Sequence, residues 1–279
     1  MTGLSRPLRG GTPVTSATRE LRASYAFIER NFNLTKRYWG WEVAWLVYSI
    51  AGALSVTLIG LDQGNRRLIF SLMIGAIFWN YLSVVFSFIA ETIEWERWEG
   101  TLEYTMMAPV RRFTQLLGST VYALVYGLIH TGVILVVLVL FFGLDLSHAN
   151  LATAGLFMAV GSVSFVGIGM MAAILPLLYV ERGAQMTFVL QSVLLLISGV
   201  YYSTDVLPGW MQLLSKLSPA TYILDGVRKG LIDGEPITAL LGDVWPLIGM
   251  GIFFIPAGIW AFGRAERYAK RTGKLKRVG

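Results

Sequence analysis

Six stretches of this chain stay apolar for roughly the length of a bilayer crossing, with no Asp, Glu, Lys or Arg inside any of them: 43–61, 68–90, 116–142, 151–180, 186–202 and 244–262. A helix of about 20 apolar residues matches a hydrocarbon core of about 30 Å. One ionised side chain at the centre of such a helix would cost about 2.5–3.5 kcal/mol on the insertion scale, which explains their absence. Spanning segments must satisfy every backbone N–H and C=O internally, so each run is predicted helical. A β-barrel is excluded, because barrel strands alternate polar and apolar residues over about ten positions and these runs do not alternate. The balance of the whole chain agrees, with 55% hydrophobic residues, 14% charged residues and a mean hydropathy of +0.60. The expected fold class is an all-α integral membrane protein with six transmembrane helices.

Orientation follows from the basic residues. If both termini lie in the cytoplasm, 18 of the 23 Lys and Arg residues fall on that side. The other side keeps Arg66, Arg67, Lys216, Arg228 and Lys229, three of them in one long loop that weighs little in the positive-inside rule. The expected location is therefore the cell membrane, multi-pass, with both ends cytoplasmic. Residues 1–41 lack the short apolar core and cleavage site of a signal peptide, so the first span serves as its own insertion signal.

Between and around the spans the chain divides as follows. Residues 1–17, rich in Gly, Pro, Ser and Thr, are expected to be disordered. In 18–41, Leu21, Tyr25, Ile28 and Phe32 recur at helical spacing while Arg19, Arg22, Glu29 and Arg30 take other faces, which predicts an amphipathic interfacial helix. The transmembrane domain is 42–263, with an inner loop at 91–112 and an outer loop at 203–243, and 264–279 is a basic cytoplasmic tail. The outer loop is amphipathic and broken at Ser218-Pro219, so it reads as two short helices, either dipping into the membrane or capping it.

The inner loop carries the most specific signal. Gly100 is predicted to end the helix continuing from the second span, Thr101 to cap a new one, and Glu103 to sit in its first turn, where the helix dipole favours an acid. Pro109 stops the element at Ala108. What lies between is about two turns, too short to stand alone in water, so it must rest on the membrane or on a partner. Leu102 and Met106 share a side with Trp95 and Trp98, while Glu96, Glu99 and Glu103 run along another. Trp95 and Trp98 could equally be plain interfacial anchors.

Glu96-Arg97, Gly100-Thr101-Leu102-Glu103 and Ala108-Pro109-Val110 resemble the loop between the second and third spans of ABC-2 permeases, the transmembrane subunits of type-2 ABC exporters. The similarity extends over about residues 20–265 through the span count, the amphipathic helix before the first span and the long segment before the last. It implies that residues 101–109 form a coupling helix seated in a groove of a cytoplasmic ATPase. Glu96, Arg97, Gly100, Thr101, Leu102, Glu103, Met106 and Pro109 would then be the coupling residues. The pattern of Pro208, Pro219-Ala220-Thr221-Tyr222 and Arg228 looks most like drug- and lipid-type exporters. The resemblance further implies two copies of the permease with two ATPase subunits, set in membrane lipid.

No G-x-x-x-x-G-K-[ST] loop occurs, so no cofactor is expected on this chain, and ATP and Mg would be bound by the partner ATPase. No catalytic residue and no metal ligand is predicted. Cysteine is absent, and the two histidines, His130 in a span and His148 in a loop, do not make a site. Nucleic acid is not an expected partner. In the resembled family the second and fifth spans flank the central path, which makes Phe78, Trp79, Tyr81, Phe86, Gln191, Tyr201 and Tyr202 the candidates for substrate contact. Ordinary packing is the alternative for each of them, as interhelical bonding is for Asn80, His130 and Gln191. A path lined by uncharged rings suits drugs, lipids or stacked sugars, so a permease for lipid-linked polysaccharide is an alternative. A non-ABC channel or scaffold would leave the loop motif without a use.

Overall fold

The computed structural model describes residues 16–108, 110, 112–143, 147–179 and 182–274, and among these there are helices and turns but no strand. The disordered tail expected at 1–17 falls almost wholly outside the described residues, as does Pro109. Eleven α-helices follow one another: α1 (Ser16–Arg37), α2 (Trp39–Asp62), α3 (Arg66–Glu99), α4 (Leu102–Met107), α5 (Arg112–Phe142), α6 (Leu151–Ala172), α7 (Ile174–Leu178), α8 (Gly183–Ile197), α9 (Gly209–Ser215), α10 (Pro219–Leu231) and α11 (Leu241–Thr272). Asn65 and Asn150 cap α3 and α6 through their side chains, accepting from the N–H groups of Leu68 and Thr153 at 3.2 and 3.1 Å.

Five helical segments are long and apolar enough to cross a membrane: α2, α3, α5, α6 together with α7, and α11. α3 runs through the middle, with Met73, Ile74, Ile77, Leu82, Phe86 and Ile89 buried against α2, α5, α6 and α8. Close approaches are made at glycines. A Cβ on Gly169 would lie 2.7 Å from the Phe86 carbonyl oxygen, and one on Gly167 2.5 Å from the Phe254 backbone. Gly155, on the same helix, meets nothing within 4 Å. The break between α6 and α7 falls at Ala173, just before Pro176, whose ring cannot donate to the preceding turn.

The fifth crossing departs from the sequence expectation. The apolar run 186–202 predicts a continuous span, yet α8 stops at Ile197, and its 15 residues rise only about 22 Å. Gly199 adopts φ +65° and the chain turns there. The rest of the thickness is supplied by α10, which lies alongside the first half of α6 with Gly230 beside Thr153, Gly226 beside Phe157 and Ile223 beside Gly161. Gly161 is ten residues into α6, so the start of α10 reaches about 15 Å down that helix. There it meets the end of α8: Ser198 and Ser218 Oγ atoms are 2.8 Å apart, and Ser215 Oγ donates to the Ile197 carbonyl. The crossing is thus two half-helices in series. The turn between them is buried, and Arg228 donates to the carbonyls of Gly199, at 2.9 Å, and Val200. Irregular backbone at such depth is tolerated when protein satisfies it in this way. Within residues 203–243, α10 packs against α6, α3 and α11.

α1 lies along α5 and turns part of its polar surface inward, while Arg22, Glu29, Lys36 and Arg37 stay exposed. Ser24 Oγ donates to the Thr114 carbonyl at 3.1 Å, Tyr122 Oη to Thr35 Oγ1 at 2.6 Å, and Arg30 pairs with Glu96. Leu21, Tyr25 and Phe32 face outward and are exposed. Exposed apolar side chains beside exposed charges on one helix suit a membrane interface.

Candidate functional site

The inner-loop motif folds as a clasp around α4. α3 ends in a Schellman closure, with the Gly100 N–H bonding the Arg97 carbonyl at 3.1 Å and the Thr101 N–H bonding the Glu96 carbonyl at 2.8 Å. Gly100 sits at φ +74°, a left-handed geometry that side chains with a Cβ avoid. Thr101 does not cap α4 with its side chain, contrary to the sequence expectation. Its hydroxyl turns back to the Glu96 carbonyl at 3.3 Å, because the reversal at Gly100 brings that acceptor within reach. Glu103 occupies the first turn of α4 as predicted.

The acid and base at the head of the motif point inward. Glu96 is 0% exposed and its Oε1 accepts from Arg30 of α1. Arg97 is 4% exposed, and its guanidinium donates to the carbonyl of Leu177 at 2.5 Å and to that of Lys274 at 2.9 Å. The far end of α4 is held from α11, where Lys270 Nζ donates to the Met106 carbonyl at 3.1 Å and also pairs with Glu266 at 2.7 Å. Leu102 and Met106 insert into the core. The end of α3 is thereby tied to α1 and to the end of α7, and α4, which follows it, is tied to α11. What faces outward is a compact patch: Trp98, Glu99 and Glu103, with Tyr104 76% and Met107 75% exposed. Spacing pointed to Met106 and Leu102 for docking; the exposed pair is Tyr104 and Met107, one residue further round.

The aromatic candidates of the second span are packing residues. Phe78, Trp79, Tyr81 and Phe86 are all buried within the chain, and Tyr81 Oη lies 2.7 Å from Ser162 Oγ. Gln191, Tyr201 and Tyr202 remain partly accessible on or just beyond α8. Gln191 accepts from Ser87 at 3.2 Å, and Asn80 donates to Ser49 at 3.1 Å, so both join neighbouring helices.

The ABC-2 type transporter family model matches residues 23–232. The chain belongs to the ABC-2 type transporter family. Its matched span runs from within α1 to the end of α10 and so includes α4 and the end of α3, but not the α11 residues that hold α4. This ABC-2 protein is accordingly a multi-pass membrane permease component, of the kind that works with an ABC ATPase. No curated protein matches it. Sequence reasoning reached Glu96 and Arg97 as a motif but missed Arg30 and the Leu177 and Lys274 carbonyls as their partners. A signal was present, since two adjacent ions at the end of an apolar span need counterparts somewhere.

Proposed function

We propose that this permease is the membrane half of an ATP-driven exporter that moves a hydrophobic or amphipathic substrate, drug-like or lipid-like, across the cell membrane. Two copies would form the path and two ATPase subunits would drive it, with both termini, α1 and α4 on the cytoplasmic side. The excess of Lys and Arg at that end supports the orientation. One observation carries the reading: the end of α3 and α4 together present Trp98, Glu99, Glu103, Tyr104 and Met107 outward, while Glu96, Arg97 and the Met106 carbonyl are tied to α1, the end of α7 and α11. A motif facing solvent alone would need neither the apolar patch nor the ties. Pressure from an ATPase closing on that patch would pass through Arg97 and Lys270 into the spans. Trp, Tyr and Met are the residue types that anchor protein interfaces.

The chain has no cysteine, so single cysteines placed at Tyr104 or Met107 are unique labels. Each should crosslink to the cognate ATPase, and reconstituted permease should stimulate its ATP hydrolysis. Crosslinks that never reach an ATPase, or labelling of position 104 from the far side of the membrane, would overturn the assignment. Transport assays over a lipid, drug and glycan panel separate the drug or lipid substrate from a lipid-linked polysaccharide.

A further inference from the structure

We infer that the junction of α1, α2 and α3 holds a binding site for an amphipathic organic cation. A cavity of about 490 Å³ opens there, large enough for a drug-sized body. Its walls carry four rings, Tyr38, Trp41, Phe88 and Trp95, and two carboxylates, Glu42 and Glu91. Among the described residues neither carboxylate forms an ion pair. The one cation on the wall, Arg30, is engaged by the buried Glu96. Burial first, and then the like charges of Glu94 and Glu42, push the Glu91 carboxyl up to about 7, a shift that a bound cation would reverse. Anionic groups beside apolar rings favour a cation that is weakly hydrated and broad, because the rings attract it through their faces and the carboxylates through charge.

Two further polar groups line this cavity and its neighbour. Asn31 is 5% exposed, lines the cavity, and its amide nitrogen has no hydrogen-bond partner. Behind Glu42 a second cavity of about 560 Å³ shares Thr35 and Glu42 with the first and is walled mainly by apolar side chains of α1, α2 and α5, among them Leu46, Val125, Ile129 and Val133. His130 lines this one at 7% exposure, and neither of its ring nitrogens is bonded. Glu42 therefore marks the boundary between a charged, ring-lined compartment for a cationic head and an apolar one for the body attached to it. Tyr126 donates to Glu42 and fixes its position at that boundary.

The site rests on the export reading only for its purpose, naming the class of substrate taken up at the inner face; binding itself needs no ATPase. Full-length permease in nanodiscs of an uncharged galactolipid is titrated with tetraphenylphosphonium, and separately with tetraphenylborate, which has the same shape and the opposite charge. The phosphonium ion should bind saturably and at least tenfold more tightly than the borate. The double variant Glu42→Gln/Glu91→Gln, whose amide oxygen at position 42 still accepts from Tyr126, should lose at least tenfold, whereas Glu94→Gln, outside the cavity wall, should change affinity less than threefold. Equal thermal midpoints for the three proteins establish that folding is not the cause. Competition by added phosphatidylethanolamine would identify the resident cation as a lipid headgroup, and indifference to it a free amphiphile; either supports the site. Equal binding of the two ions, or an unchanged affinity in the double variant, overturns it. A chain that binds the phosphonium ion yet fails the ATPase crosslink keeps this site and loses the export reading alone.

Discussion

Arg97 does for the α4 clasp what no other side chain type could. Its planar fork reaches two carbonyls from different parts of the chain, Leu177 and Lys274, while remaining 4% exposed. A lysine has three donors on one point and cannot span both acceptors, so Arg97→Lys is expected to behave nearly like Arg97→Ala. Either change leaves a buried acceptor unsatisfied, at about 1–3 kcal/mol, and should lower the thermal midpoint of the purified permease and uncouple ATPase stimulation. A Lys variant with full stimulation would show that charge alone suffices. Glu103, by contrast, is exposed, so Glu103→Gln should leave the thermal midpoint unchanged and reduce transport, measured in the reconstituted system with its ATPase. Wild-type transport in that variant would remove Glu103 from the docking patch. The sequence made both residues visible as a motif. It could not show their directions, because Arg30 lies 66 positions from Glu96 and Leu177 lies 80 positions from Arg97, and no local period relates them.

Among the elements, those defined by their own period were legible and those defined by tertiary contacts were not. The long apolar runs of α2, α3, α5, α6 with α7, and α11 declare themselves, and Gly100 declares the α3 terminus. Gly100→Ala must hold a left-handed φ of 74°, costing about 1–2 kcal/mol, and should shift α4 enough to abolish ATPase stimulation while membrane insertion stays intact. The α8 end was misread because hydropathy counts residues 198–202 as apolar whether they are helical or turned. What ends the helix is a turn whose carbonyls are met from Arg228, a residue that sequence placed in an external loop. Arg228→Gln is expected to orphan one of those two carbonyls, destabilise the α8–α10 joint by about 1–3 kcal/mol, and speed amide exchange at residues 198–203 more than in α6. Uniform exchange in that variant would mean that the turn holds without the guanidinium.

For the molecule as a whole, the all-helical architecture follows from apolar runs spread over the chain and the ABC-2 resemblance chiefly from one contiguous loop motif, so both were readable early. The cavity at Glu42 was not, because its walls come from α1, α2 and α3 and none of them is unusual alone. Global stability is expected to depend little on the far end. Arg67 Nη2 and Asp233 Oδ1 are 2.9 Å apart but exposed, and such pairs contribute about 0–1 kcal/mol. Arg67→Ala should therefore melt within a degree or two of the parent, and a large fall would reveal a structural role for that pair.

The turn from α3 into α4 is fastened to the first helix through Glu96 and to the last through Lys270. If an ATPase docks there as proposed, its thrust would bear on the opening and closing staves of the bundle together. Whatever slack the machine needs must then be found midway along the thread, where one crossing is already cut in two.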